Sequence, residues 1–176
     1  GTEEEGRPSN AKLYYVFGNA GEDIPKSLKK ITITKGFVKA GWMAGEALSG
    51  LHSGNVEELD YTSINETIYE NIFMPLNGSV THLTIRGNVT RIEKNIFYRN
   101  SSVTDIVLPD TVTEIGDNAF TGAPKLKEIS IPNVVSIGAN AFNGCSALTK
   151  VETGNDLVSR TALNSLSSIR VANLLP

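Results

Sequence analysis

The chain has 176 residues, 40% hydrophobic and 20% charged, and its 16 Lys and Arg against 19 Asp and Glu give a formal net charge of −3. Its basic residues are scattered, which excludes a nucleic-acid interface built on a basic stripe. One cysteine and two histidines exclude an intrachain disulfide and a four-ligand Cys/His zinc site, and no apolar stretch has the length of a membrane-spanning helix.

Residues 1–10, Gly1-Thr-Glu-Glu-Glu-Gly-Arg-Pro-Ser-Asn10, are polar and aperiodic and read as a flexible tether, not as a signal peptide. Residues 11–27 carry Leu13-Tyr-Tyr-Val-Phe17, an apolar run predicted to cap the open edge of the element that follows. From residue 28 to 176 the chain repeats itself. Anchors with the spacing L-x-x-L-x-L fall at Leu28/Ile31/Ile33, Val56/Leu59/Tyr61, Val80/Leu83/Ile85, Val103/Ile106/Leu108, Leu126/Ile129/Ile131 and Leu148/Val151, with a shortened copy at Leu166/Ile169/Val171. First anchors lie 28, 24, 23, 23, 22 and 18 residues apart. A period in the low twenties predicts a solenoid, whose units bury their apolar side only by stacking. Seven coils about 4.8 Å apart would form a stack of about 30 Å.

A second apolar cluster follows each strand. It reads Val89/Ile92/Ile96/Phe97, Val112/Ile115/Ala119/Phe120, Val134/Ile137/Ala141/Phe142 and, more loosely, Ile64/Ile68/Ile72/Phe73. The fixed offset predicts that the phenylalanines stack in one buried column. Pro109 and Pro132 suit the place where the chain leaves the sheet, because proline lacks a backbone donor. Gly116 and Gly138 are predicted at tight changes of direction, and Gly122 and Gly144 at the end of a short helical turn. In the first repeat, Phe37, Val38, Trp42, Met43, Ala47, Leu48 and Leu51 predict a helix of about ten residues, with Trp42 in the cap. Cys145 falls where other copies carry Ala123, Asn100, Asn77 and Ser53, a small residue at a turn entering the core. At the far end Leu174 and Leu175 are left over, either closing the solenoid or offering an apolar edge.

Residues 103–151 follow I-x-I-P-x-x-V-x-x-I-G-x-x-A-F-x-G-C-x-x-L, down to Ile131-Pro132 and Ala141-Phe142-Asn143-Gly144-Cys145-Ser146-Ala147-Leu148. This resembles the BspA-type leucine-rich repeat of Bacteroidetes surface proteins. Residues 56–102 match more loosely and 28–55 only at the anchors. The resemblance implies an α/β solenoid: a right-handed leucine-rich-repeat superhelix of about six to seven short coils, with a parallel sheet on the concave side. It also implies an exported chain at the bacterial surface, where the acidic leader would follow an acylated cysteine of a lipoprotein.

No catalytic, metal or cofactor site is expected. His52, His82 and Cys145 lie at unrelated registers, so no Cys/His nucleophile pair forms. Gly36, Gly41, Gly45 and Gly50 are too widely spaced for a phosphate cradle. Asp105, Asp110, Glu114 and Asp117 fall on positions that repeats keep in water, which disfavours a calcium site. Asn65, Asn77, Asn88 and Asn100 head Asn-x-Ser/Thr triplets, and Asp110-Thr111-Val112 matches a short O-glycosylation pattern.

By analogy with leucine-rich strands, two columns face outward. The third positions read Lys30, Glu58, His82, Asp105, Glu128, Lys150 and Ser168; the fifth read Thr32, Asp60, Thr84, Val107, Ser130, Glu152 and Arg170. Glu58, Asp60, His82, Asp105, Glu128 and Lys150 are the candidate partner-binding residues. Tyr98 joins them as an outward tyrosine beside the core Phe97. The expected role is a non-enzymatic binding or adhesion module for an extracellular protein, such as a host matrix protein, ahead of a glycan. The alternative is a structural module that assembles with itself or a companion surface lipoprotein.

Overall fold

A strand with one apolar face needs a second layer to cover it, and in this chain the central coils supply both layers. The computed structural model describes residues 25–36, 48, 51, 55–73, 76, 78–98, 100–154 and 170–172. Eleven strands occur among them: β1 (Lys30–Gly36), β2 (Glu58–Ser63), β3 (Thr67–Ile68), β4 (His82–Arg86), β5 (Arg91–Ile92), β6 (Asp105–Val107), β7 (Glu114–Ile115), β8 (Glu128–Ile131), β9 (Ser136–Ile137), β10 (Lys150–Thr153) and β11 (Arg170–Ala172). They form two sheets, β1-β2-β4-β6-β8-β10-β11 and β3-β5-β7-β9, in which every pairing is parallel. Parallel neighbours one repeat apart define a solenoid.

Two details differ from the expectation. No α-helix occurs among the described residues, so the described part is a β-solenoid in place of an α/β one. Four coils contribute to both sheets, fewer than the six or seven anticipated, although seven strands line the longer sheet. The physical reason for the missing helix lies in the return segment. Asn71, Asn95, Asn118 and Asn140 adopt φ of 63°, 57°, 53° and 56°, the left-handed region that asparagine tolerates and that breaks a helix. Each stands two residues before a core phenylalanine. Of the predicted first-repeat helix, Leu48 and Leu51 are described and buried, while Trp42 and the other residues lie outside the described residues, as do the 1–10 tether, most of the 11–27 cap and the Leu174–Leu175 end.

The core is a set of columns. Leu59, Leu83, Ile106, Ile129 and Val151 are buried along the inner face of the long sheet, and Ile68, Ile92 and Ile115 along the short one. Between them Phe73, Phe97, Phe120 and Phe142 are fully buried and stack at centroid distances of 5.3, 5.2 and 5.1 Å, with Tyr61 edge-on to Phe73. The predicted phenylalanine column forms, with Phe73 as its fourth ring. Ile64 does not join its cluster: it is 60% exposed, and Asn65 occupies the place of the buried Val89, Val112 and Val134. That place lies eight residues before each core phenylalanine, so the looser first copy is out of step by one residue.

Corners between the sheets are closed by side chains that reach the preceding coil. The hydroxyls of Thr81, Thr104 and Thr149 donate to the carbonyls of Glu57, Thr81 and Lys127 at 3.1–3.3 Å. Those of Thr90 and Thr113 do the same at the next corner, to Glu66 and Thr90. Asn100, fully buried, accepts from the amides of Ser102 and Val103 at 3.1 Å and donates to the Phe73 carbonyl at 3.3 Å. A glycan on Asn100 is therefore incompatible with the fold, whereas Asn88 is exposed. Cys145 holds the equivalent place, its thiol 3.1 Å from the Phe120 carbonyl, and burial pushes its pKa up to about 11.

Gly138 has a different reason from the predicted turn. A Cβ there would stand 2.3 Å from the Asp117 amide nitrogen, so glycine lets adjacent coils touch.

Candidate binding surface

Because β-strand side chains alternate, burying Leu59, Leu83, Ile106, Ile129 and Val151 turns their neighbours outward. Backbone pairing puts Lys30, Glu58, His82, Asp105, Glu128, Lys150 and Arg170 in one registered row across all seven strands. Five of the seven sequence-predicted site residues, Glu58, His82, Asp105, Glu128 and Lys150, thus lie side by side. Asp60 belongs to the next row, in register with Thr32 and Thr84. Tyr98 is 43% exposed, as expected, but it sits after Phe97 and belongs to neither sheet, so the structure does not join it to the other six.

The last strand corrects one assignment. Val151 pairs with Val171, not with Ile169, so Arg170 falls in the first row beside Lys150, and Ala172 in the second beside Glu152. The two-residue shift keeps the same faces, because the side-chain period is two. Ser168 lies outside the described residues, as do His52 and Asn77.

Charge along the row is partly self-compensated. Lys30 pairs with Glu58 at 3.0 Å, His82 Nε2 lies 3.3 Å from Asp105, and Arg86 grips Asp60 at 2.9 Å. His82 Nδ1 also lies 2.8 Å from the Thr81 hydroxyl. Lys150 and Glu152 meet at 2.5 Å within one strand. This contact, a hydrogen bond strengthened by opposite charge, raises the pKa of Lys150 and lowers that of Glu152. Such exposed pairs are screened by water and add little to stability, so the row is not what holds the fold together. Asp105 and Glu128 face each other directly on β6 and β8, like charges opposite one another, an arrangement that costs stability.

Beside them is a shallow depression of about 380 Å³, lined by Val107, Asp110, Glu128, Ser130, Lys150 and Glu152 together with core residues of the sheet. Val107, Asp110, Ser130 and Glu152 were not among the predicted site residues. The signal was present, since alternation already placed Val107, Ser130 and Glu152 outward. A second depression of about 500 Å³ lies on the short sheet, where Arg91 pairs with Glu114 at 2.7 Å. Among the described residues no group of three or more His, Cys, Asp or Glu converges in a way that could hold a metal ion. Asp105 and Glu114 lie on strands of different sheets.

Residues 66–173 match the BspA type leucine rich repeat region in six copies. The chain belongs to that family. Comparison with curated proteins finds no match. The match starts between β2 and β3 and includes β11, so it takes in three of the four coils that contribute to both sheets whole, and only β3 of the first. A BspA-type leucine-rich repeat is a protein-interaction scaffold and typically non-enzymatic, in keeping with a face of registered, outward polar side chains.

Proposed function

We propose that this chain is a non-enzymatic adhesion module, exported and held at a bacterial surface, that binds an extracellular protein through the outer face of its seven-stranded sheet. The observation that carries this reading is the registered row from Lys30 to Arg170, carried on a core that does not depend on it. A row of charges at fixed spacing presents one electrostatic pattern to a partner and costs no reorganisation on binding.

The test is capture from a panel of matrix proteins and a glycan array, with the parent chain and a Glu58→Ala/Asp105→Ala/Glu128→Ala variant. The expected result is a protein ligand whose affinity falls at least about tenfold in the variant, about 1.4 kcal/mol. Unchanged affinity would move the site off this face, and no binding to any probe would remove the adhesion reading. Protease treatment of intact source cells tests location: digestion of the chain without lysis supports surface display, and full protection argues against it.

A further inference from the structure

Among the described outward residues of strands β1 to β10, Val107 is the only apolar one. It is 57% exposed and lines the depression on the long sheet. Single exposed valines are ordinary on protein surfaces. This one is set apart by its surroundings. Three carboxylates, Asp110, Glu128 and Glu152, share the depression with one ammonium, Lys150. Glu152 already holds that ammonium at 2.5 Å. Asp110 and Glu128 have no ion-pair partner among the described residues. Lys150, in register with Glu128 across the neighbouring strand, offsets one of the three charges, so the rim keeps an excess of two negative charges around the exposed Val107, an apolar contact with a polar edge.

We propose that the partner segment carries an aliphatic side chain close to a lysine or arginine, the aliphatic group seated on Val107 and the cation facing Asp110 and Glu128. The inference rests on the binding-module reading above and specifies the partner's chemistry. An acidic segment would meet Asp110 and Glu128 as like charges, and a wholly polar one would leave Val107 in water. Only the combination satisfies both features of the site.

A random-peptide phage library panned on the full chain tests this, with the Val107→Asp and Glu128→Lys variants as comparisons. Both positions are exposed, so the variants should melt with the parent. Enriched peptides should place an aliphatic residue within two positions of Lys or Arg. They should bind Val107→Asp at least about tenfold more weakly. Panning on Glu128→Lys should shift selection away from basic peptides. Enriched peptides without basic residues, or equal binding to parent and both variants, would overturn the inference and leave the binding module standing. Absence of any enriched peptide would count against both.

Discussion

Replacing Phe120 with alanine probes the solenoid at the point where its coils are most tightly coupled. The ring is fully buried and stacked on both sides, 5.2 Å from Phe97 at 12° and 5.1 Å from Phe142 at 2°. Truncating a buried phenylalanine costs about 3–5 kcal/mol through lost transfer energy and the cavity left behind. Two stacked neighbours, each contributing about 0.5–1.5 kcal/mol, place Phe120 in the upper half of that range. For a chain of this size, about 4 kcal/mol lowers Tm by about 8–16 °C. Urea and thermal melts followed by circular dichroism read both quantities. Phe142→Ala, which removes one described ring contact in place of two, should cost about 1 kcal/mol less. A Phe97→Ala/Phe120→Ala pair should depart from additivity by about 0.5–1.5 kcal/mol, because the two rings touch. Melts of Phe120→Ala that overlay the parent, or strictly additive costs, would refute the stacked column as a source of stability.

Exchanging two neighbours tests the out-of-step coil. The Ile64→Asn/Asn65→Val variant restores the Asn-Val order of residues 88 and 89 and removes the buried Asn65 Oδ1, which has no hydrogen-bond partner. It should gain about 1–3 kcal/mol, and a destabilised variant would show that Asn65 has a role in the fold. Alkaline pH should weaken the protein in a defined window. Burial raises the Cys145 pKa from 9.0 to about 11 and the Tyr61 pKa from 10.0 to about 12. Each group stays protonated in the folded chain while its unfolded form ionises, so its contribution is complete below the unfolded value and lost as pH rises through the folded one. Stability should be flat up to pH 9.0 and fall by about 2–3 kcal/mol for each group above it. Cys145→Ala should delay the onset toward pH 10.0; an unchanged alkaline profile would contradict the assignment.

How much the sequence revealed follows from what each position does. Inward anchors such as Leu83, Ile106 and Ile129 were readable because burial demands an apolar residue at every turn, and repetition made that demand visible. The outward row was readable as its complement. The asparagines at 71, 95, 118 and 140 went unread, although they recur two residues before each phenylalanine, because their role lies in backbone conformation and not in contact. Thr81, Thr104 and Thr149 looked like ordinary polar turn residues, and their bonds to the preceding coil depend on stacking that only the fold reveals. Gly138 was assigned a turn because spacing along one coil does not show what lies on the next. The register of β11 slipped by two because Ile169 and Val171 both satisfy an apolar anchor.

The same division explains why the fold emerged more clearly than the partner. Stacking constrains the side of the sheet that faces the core, where Phe120 or Leu83 has little freedom. The opposite side is held at repeat spacing whatever residues stand there, so Lys30, Glu58, His82 or Glu128 can change at small cost to stability. A surface freed from the demands of folding carries its information in the pattern of charge and apolarity alone. Within that pattern like-charged neighbours occur twice, Asp105 beside Glu128 and Lys150 beside Arg170, and they are the informative departures, since stability by itself favours opposite charges there. Glu128 also lines the depression that holds Val107. A local cost on an otherwise regular array is where function is to be sought first. Exchanging Glu128 for Lys should therefore separate the two demands: it removes a like-charge neighbour in Asp105 and creates one in Lys150, leaving the melt close to the parent while weakening capture of a basic ligand. A variant that lost both stability and binding would place Glu128 among the residues that hold the coil together.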